Sequence, residues 1–379
     1  MDFNFSEEHQ MIISSAREFA QTELLPGIIE RDDNQQFPTK QIKKLGELGF
    51  MGMMVSPEYG GAGMDTISYV LAMEEISKVD ASTSVVMSVN NSLVCWGLET
   101  YGTEAQKQKY LVPLATGQIH GAFCLSEPEA GSDATSQRTT AIDKGDHYIL
   151  NGTKNWITSG GTASVYIVIA QTDKEKGHRG INAFIVEKGA KGFEVGTKEN
   201  KMGIRASDTH TLLFNDVIVP KENRIGEDGF GFKYAMKCLS GGRIGIASQA
   251  LGIASGSYEL SVKYAKLRET FGKPIAQHQA IAFKIADMAV KSEAARNFCL
   301  KAAWLKDQKQ NYDTAGAMAK VYASQVAMEN STEAVQIHGG YGFVKEYHVE
   351  RLMRDAKITQ IYEGTSEIQK IIISRDSLK

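Results

Sequence analysis

"GFKYAMKCLSGGRIGIASQALGIASGSYELSVKYAKLR" (231–268) is the stretch that decides the fold of the last third of the chain. It is predicted to form one long helix, and its middle is rich in Gly, Ala and Ser, which permit close helix approach at some cost in helix propensity. Residues 275–308 and 314–339 continue at helical period, and a last helix is predicted to begin near Thr365. Four such helices are expected to pack as a bundle.

The residues before this stretch have a different pattern. Between about 121 and 225, short β-prone runs are bounded by turn residues, and Asn-Gly at 151–152 is a turn signal. Strands at such intervals predict a small antiparallel barrel or sandwich. Residues 1 to about 120 are mostly helical in pattern, and the spacing of Thr103 and Gln106 predicts a capping box.

These patterns predict a multidomain α+β protein. The expected units are an N-terminal all-α domain (1–120), a middle antiparallel β-barrel or sandwich domain (121–229) and a C-terminal four-helix bundle domain (230–379). A chain of 379 residues is long enough for two or three domains with sizeable cores.

Composition excludes several classes of partner. The 42 basic and 45 acidic residues are well mixed and give a net charge of −3, which argues against a general affinity for nucleic acid or anionic membranes. No apolar run approaches the ~20 residues that cross a bilayer. Four scattered cysteines without a CxxC pair predict neither a disulfide framework nor a metal site. We therefore expect a soluble cytoplasmic protein.

Common nucleotide and hydrolase motifs are absent. The sequence has no complete GxGxxG, and no GxxxxGK[ST], HExxH or GxSxG. Rossmann, P-loop, zinc-protease and α/β-hydrolase chemistry therefore lack their usual support. If a cofactor binds, another architecture holds it.

Two segments of the middle region could contact a ligand. "FCLSEPEAGSDATSQ" (123–137) offers backbone N–H groups and hydroxyls with little steric bulk, which suits a polar planar ligand or a phosphate, although a plain connection has the same composition. "KNWITSGG" (154–161) places an indole two residues before a Thr at a strand end. That Trp could be core, or it could cover one face of an aromatic cofactor.

Two segments of the C-terminal region have local explanations. "KLRETFGKPIAQHQAIAFKIADM" (266–288) contains a Gly and a Pro that account for a tight turn, and the flanking Arg268 and Gln279 could be merely solvated. "EAVQIHGGYGFVKEY" (333–347) is explained by a C-cap at its double Gly, while glycines also let a backbone lie against a cofactor.

"IYEGTSEIQ" (361–369) places a carboxylate at a predicted break between helices. Gly364 can take a positive φ, and Thr365 is a plausible N-cap with Glu367 in the first turn. Read alone, Glu363 could be a solvated residue at a helical joint.

Together these segments resemble the acyl-CoA dehydrogenase family over essentially the whole chain. The resemblance is closest to the short-chain, butyryl-CoA type. The matching motifs are "LSEPEAGSDA" (125–134), "NWITSG" (155–160), "RETFGKP" (268–274), "QIHGGYGF" (336–343) and "RDAKITQIYEGTSEIQ" (354–369). The resemblance implies that FAD lies between the β-domain and the bundle, and that the protein is a homotetramer, a dimer of dimers.

The resemblance also implies which residues contact FAD. Those expected beside the isoalloxazine or along its edge are Phe123, Leu125, Ser126, Trp156 and Thr158, with Ser132 also in contact with the cofactor. Those expected to reach the other part of FAD, from a partner subunit or from the start of the last helix, are Arg268, Phe271, Gln279, Gln336, Gly339, Gly340, Thr365 and Glu367.

The implied reaction converts an acyl-CoA thioester into a trans-2-enoyl-CoA. Glu363 matches the family's catalytic base, and burial should raise the pKa of its carboxyl. The thioester carbonyl would be held by the backbone N–H of Glu363 and a ribityl hydroxyl of FAD, and flavin N5 would take the β-hydride. Residues expected to contact the substrate are Ser132, Ser240, Arg243, Gln249, Thr359, Tyr362 and Gly364. Electrons would pass to an electron-transfer flavoprotein.

Particular positions narrow the implied substrate. Some relatives carry the base immediately before the arginine that matches Arg243, and that position here is Gly242. Glutaryl-CoA dehydrogenases have an Arg where this chain has Ser84, so a diacid thioester is not expected. Gln249 and Thr359 match the residues that close the pocket of short-chain members, which predicts acyl groups of about C4 to C6.

Three alternatives stay open at this level. The substrate could be a short branched acyl-CoA. The chain could be an oxidase or monooxygenase of the same fold, although monooxygenase relatives commonly lack the Glu base. It could also be a helical CoA-binding or scaffold protein without catalysis, which the intact motifs oppose.

Overall fold

The computed structural model describes residues 4–379, and the first of its three successive regions is helical. The helices of this region are α1 (Glu7–Phe19), α2 (Ile28–Asp33), α3 (Thr39–Glu47), α4 (Thr66–Val79), α5 (Ala81–Ser88), α6 (Trp96–Tyr101), α7 (Glu104–Gln106) and α8 (Val112–Ala115). The capping box predicted at Thr103 is confirmed, because its side chain accepts from the Gln106 N–H while the Gln106 side chain accepts from the Thr103 N–H.

The second region is a single eight-stranded sheet. Its strands are β1 (Gly121–Cys124), β2 (Thr140–Asp143), β3 (His147–Thr158), β4 (Val165–Gln171), β5 (Ile181–Glu187), β6 (Phe193–Lys198), β7 (Thr209–Pro220) and β8 (Arg224–Ile225). The order is β6-β7-β3-β2-β4-β5-β8, with β1 paired to β4. Most pairings are antiparallel as predicted, but β1 and β2 each pair with β4 in parallel.

The predicted turn at Asn151–Gly152 is wrong. Both residues lie inside β3, where the register with β7 shifts between Leu150 and Gly152. Gly152 has φ 148°, and a Cβ there would come within 2.5 Å of the Thr139 hydroxyl. A β-bulge and a hairpin turn favour the same dipeptide, so the local sequence does not distinguish them.

The third region is helical. Its helices are α9 (Gly231–Leu267), α10 (Gln279–Asp307), α11 (Asp313–His338), α12 (His348–Ile358) and α13 (Ser366–Ser377), and a short hairpin of β9 (Glu269–Thr270) and β10 (Lys273–Pro274) joins α9 to α10. Helix α9 packs against α4, α10 and α11. A Cβ at Gly252 would lie 2.4 Å from Ser77 Cβ of α4, so this glycine permits the predicted close approach.

One hydrophobic core connects the three regions. It contains, among others, Leu98 of α6, Ile167 of β4, Ile244 of α9, Ala323 of α11 and Leu352 of α12. The four cysteines are buried and free. Within residues 4–379, no helix is long and apolar enough to span a bilayer, and no cluster of three or more His, Cys, Asp or Glu side chains could hold a metal ion. The shared core fixes the segment between α12 and α13 against the middle of α9.

Candidate active site

The chain breaks between α12 and α13 as the sequence predicts, and we call residues 359–365 the joint. Glu363 has φ 53° and Gly364 has φ 90°, so two successive residues are left-handed. Such a conformation is unusual for a residue with a Cβ and indicates a backbone that its surroundings hold in place. Thr365 then caps α13, because its side chain accepts from the Ile368 N–H.

The carboxylate of Glu363 lies directly against α9. A Cβ built on Gly242 would come within 2.1 Å of Glu363 Oε2 and 2.8 Å of the Leu93 side chain, so only a glycine leaves the carboxylate this space. Oε2 is buried and has no hydrogen-bond partner among the described residues. Burial raises the pKa of Glu363 to about 7, although the cations Lys320 and Arg243 oppose the shift.

The backbone beside this carboxylate also has an available donor. No residue in the described part of the chain accepts a hydrogen bond from the backbone N–H of Glu363. The joint therefore offers one proton acceptor and one hydrogen-bond donor within a single residue. This pair suits a substrate that loses a proton next to a carbonyl group.

Gln249 and Tyr362 form a fixed polar group beside the joint. The Tyr362 hydroxyl donates to Gln249 Oε1, while Gln249 Nε2 donates to the Ala81 carbonyl at 2.9 Å and to Ser84 Oγ at 3.2 Å. Gln249 is fully buried, so this side chain has no freedom to move aside. Thr359 is also fully buried, and its hydroxyl turns back to the Ala356 carbonyl of α12 at 2.7 Å.

Ser240 and Arg243 lie one turn apart on the buried face of α9. Arg243 Nη1 donates to Ser240 Oγ at 3.4 Å, and Arg243 Nε is buried without a partner among residues 4–379. Burial lowers the pKa of Arg243 below its ordinary value. A guanidinium with an unused buried donor is suited to bind an acceptor that the protein itself does not supply.

The middle-domain residues form a neighbouring group. Phe123 and Leu125 lie in and just after β1, and the Ser126 carbonyl accepts from the Asn155 N–H at 2.9 Å, which joins the two predicted motifs. Trp156 has φ 56° at a bulge of β3, and its side chain is 53% exposed. An exposed indole is therefore not part of the core here. Of the other predicted contacts, Thr158 is half-buried at the end of β3. Ser132 is exposed in the loop between β1 and β2.

Lys154 anchors the loop that carries these residues. Its fully buried Nζ donates to the Leu125 carbonyl at 3.0 Å, to Glu127 Oε1 at 2.7 Å and to Gln137 Oε1 at 3.2 Å. Glu127 also accepts from backbone N–H groups at the far end of the loop. Burial alone would raise the pKa of the Glu127 carboxyl. The Lys154 ammonium and these N–H groups together outweigh that effect, so the pKa lies below its usual value.

Lys154→Met should therefore strongly destabilise the fold. The change leaves the Glu127 carboxylate buried without its cation, which typically costs about 3–5 kcal/mol. Denaturant unfolding of the purified variant measures the loss. Lys188→Met is the matched control, because Lys188 donates to the Gly161 carbonyl from an exposed position. Equal stability of the two variants would contradict an anchoring role for Lys154.

The remaining predicted residues lie in two other places. Thr365 and Glu367 line a cavity of about 320 Å³ at the start of α13, together with Lys357 and Lys370. A separate exposed group lies at the far end of α9 and comprises Arg268, Phe271, Gln279, Gln336, Gly339 and Gly340. The Arg268 guanidinium lies 5.6 Å from the Tyr341 ring, which joins the hairpin to the end of α11.

The exposed group around Arg268 is far from the Glu363 site within one chain. Gly242 and Arg268 are separated by most of α9, about 40 Å at a rise of 1.5 Å per residue. Phe271 is 96% exposed at the tip of the hairpin with φ 53°. One chain therefore does not bring all of the predicted cofactor residues to one place.

Three buried side chains of the site were not predicted from the sequence. Lys154 and Lys320 are lysines at core positions, and Gln369 is a fully buried amide at the start of α13. Lys320 had a visible signal, since it follows "GAMA" on an alanine-rich helical stretch. Lysines are almost never fully buried without a partner, so a lysine on an apolar helix face indicates a buried acceptor.

Comparison with family models matches nearly the whole chain. The models are described as "Acyl-CoA dehydrogenase, N-terminal domain" for residues 6–118, "middle domain" for 122–217 and "C-terminal domain" for 229–378.

Relatives and solved structures agree. A short-chain specific acyl-CoA dehydrogenase of Clostridium acetobutylicum is 52% identical over 99% of each chain. Butyryl-CoA dehydrogenase from Megasphaera elsdenii is 49% identical and superposes with a TM-score of 0.98 over 100% of both chains. A chain in a structure described as the electron transferring flavoprotein of Acidaminococcus fermentans, concerned with flavin-based electron bifurcation, is 54% identical with a TM-score of 0.99 over 100% of both chains.

Proposed function

Because this chain belongs to the acyl-CoA dehydrogenase family, we propose that it is an FAD-dependent dehydrogenase that oxidises a short-chain acyl-CoA to the trans-2-enoyl-CoA. The observation that carries the proposal is the buried carboxylate of Glu363, held against Gly242 without a hydrogen-bond partner among the described residues. A carboxylate with a pKa of about 7 can accept a proton at neutral pH.

The residues present fit FAD. The exposed Trp156 indole, with its left-handed backbone, offers an aromatic face beside the 125–126 backbone, and Thr158 adds a hydroxyl at the same strand end. Bound FAD supplies the acceptor for the hydride that leaves the β-carbon. The exposed Arg268 and Phe271 are suited to the distant part of the cofactor of a neighbouring chain.

The chain's own groups handle the proton and the carbonyl. Glu363 removes the α-proton, and its backbone N–H donates to the thioester oxygen as negative charge develops there. A preorganised donor of this kind is typically worth about 3 kcal/mol. Ser240 and Arg243 bind polar parts of the thioester from α9, with Ser132 and Gly364 as further contacts. Burial of the site excludes water that would compete for the proton.

The polar group beside the joint limits the acyl tail. Gln249 is held by three hydrogen bonds and Thr359 is folded back onto α12, so neither can turn away to admit a longer chain. Short-chain relatives at about 50% identity support the same preference. We propose acyl groups of about C4 to C6. A single pocket residue typically shifts the preference between two substrates by only about 1–3 kcal/mol.

We propose that the enzyme is a homotetramer built as a dimer of dimers. The separation of about 40 Å between Gly242 and Arg268 along α9 supports a cofactor site shared between chains. The structural neighbour described with an electron transferring flavoprotein supports such a flavoprotein as the electron acceptor. A cytoplasmic location is part of the same proposal.

Anaerobic addition of butyryl-CoA tests the function. We expect the purified yellow protein to lose its flavin absorbance, and to do so faster with C4 and C6 thioesters than with C8. A protein that cannot be loaded with FAD would overturn the proposal. Faster reduction by isobutyryl- or 2-methylbutyryl-CoA would indicate a branched-chain enzyme. Rapid reoxidation of the product-free reduced enzyme in air would indicate an oxidase.

A further inference from the structure

Lys320 connects α11 to the joint that carries Glu363. Its Nζ donates to the Thr359 carbonyl at 3.0 Å and to the Gly364 carbonyl at 2.7 Å. These carbonyls lie on either side of Glu363. A single ammonium group therefore holds both ends of a segment that has no regular hydrogen-bond pattern of its own.

Gln369 holds the same segment without a charge. Its Nε2 donates to the Glu363 carbonyl at 3.3 Å and to the Gly364 carbonyl at 2.9 Å, and it reaches them from the first turn of α13. The left-handed backbone at Glu363 and Gly364 is thus fixed from two helices. The two side chains have similar contacts but differ in charge, which allows positioning and electrostatic effects to be separated.

The charged and titratable groups that face Glu363 come from four elements. They are Lys320 of α11, Arg243 of α9, Tyr69 of α4 and Tyr362 of the joint itself. Burial raises the pKa of both tyrosines far above neutrality, so they are uncharged. Lys320 and Arg243 are the cations that oppose the effect of burial on the Glu363 pKa, and Lys320 has the larger effect.

Lys320 is itself poised to carry charge at neutral pH. Burial lowers the pKa of its ammonium to about 8, while the carboxylates of Glu363 and Glu367 act in the opposite direction and Arg243 lowers it further. Below about pH 8 the group is protonated and can both donate its hydrogen bonds and stabilise the Glu363 anion.

We propose that Lys320 is a positioning residue for the base: its two hydrogen bonds fix the joint so that the Glu363 carboxylate seats against Gly242, and its charge favours the ionised carboxylate. The inference deepens the proposed function and rests on it. Lys320 need not touch the substrate, because it acts through Glu363.

The pH profile of flavin reduction tests this role. In wild type, the anaerobic rate with butyryl-CoA should rise with pH through about 7, since only ionised Glu363 accepts the proton. In Lys320→Met we expect the acid limb to move upward by about one pH unit or more, because an opposite charge has been removed. The maximal rate should also fall by about tenfold or more as the carboxylate loses its position.

Two variants serve as matched controls. Gln369→Leu removes hydrogen bonds to the same joint but no charge, so its rate should fall while its acid limb stays at the wild-type pH. Lys306→Met removes a half-buried lysine, which donates to Met54 Sδ and whose pKa desolvation lowers to about 8. It has no contact with the joint and should keep both the wild-type limb and the wild-type rate.

The outcomes separate this inference from the proposed function. If wild type is not reduced by butyryl-CoA, the proposed function fails. If wild type is reduced but Lys320→Met and Lys320→Gln both keep its acid limb and rate, the positioning role is wrong. Lys320→Gln retains a donor without charge, so it covers the case in which the Met variant does not fold. Flavin content and thermal unfolding verify each variant.

Discussion

Glu363→Gln is expected to slow flavin reduction by butyryl-CoA by about a thousandfold or more. The amide has nearly the shape of the carboxylate but cannot accept a proton, and a positioned general base contributes about 10²–10⁴ to a rate. The left-handed backbone at this position is unchanged, so binding should persist. Anaerobic stopped-flow absorbance in the flavin band measures the rate.

The control for this variant is a carboxylate outside the site. Glu194 lies on the exposed side of β6, so the flavin of the Glu194→Gln variant should be reduced at the wild-type rate. FAD content and the spectral change on binding crotonyl-CoA should be the same in Glu363→Gln and wild type. A Glu363→Gln enzyme that is reduced as fast as wild type would show that the base lies elsewhere.

Gly242→Ala is expected to lower the rate of flavin reduction by about a hundredfold. The added Cβ would lie 2.1 Å from Glu363 Oε2 and 2.8 Å from the Leu93 side chain, so the carboxylate must move. A displacement of about 1 Å in an active site can cost about 10²-fold. Unlike Glu363→Gln, this variant keeps a base and changes only its place.

The matched control is another glycine inside a helix. Gly316→Ala on α11 would place its Cβ no closer than 3.7 Å to its neighbours, which is ordinary contact. Both substitutions improve helix propensity by about 1 kcal/mol, so a general effect of alanine would appear in both. If Gly242→Ala keeps the wild-type rate, the carboxylate is not seated against α9 during turnover.

The sequence predicts the local backbone features of this site better than the contacts between residues that are distant in the chain. The break before Thr365, the positive φ of Gly364 and the N-cap follow from local residue preferences, and the structure confirms them. The approach of Gly242 to Glu363 could not be predicted in this way. The two residues are far apart in the chain, and only the packing of the joint against α9 brings them together.

Other differences have equally specific causes. The Asn-Gly pair inside β3 has the composition of a turn, and only the register with β7 shows a bulge. Lys154 was not predicted because its partners are backbone and side-chain oxygens distant in the chain, for which single-sequence patterns give no signal. For Lys320 the alanine-rich helix signals burial but does not show which carbonyls accept its hydrogen bonds. By contrast, the separation of Arg268 from Gly242 follows from the single long helix that the sequence predicts, which the structure confirms as Gly231–Leu267.

The raised pKa of Glu363 also links folding to proton binding. The folded state holds this proton up to about pH 7, whereas the ordinary value is 4.5. The folded protein therefore binds more protons between these values, and its stability falls as pH rises across them. Above pH 7, this shift in the Glu363 pKa lowers the free energy of unfolding by about 3 kcal/mol. The alkaline side, where the base is ready to react, is thus the side on which this residue weakens the fold.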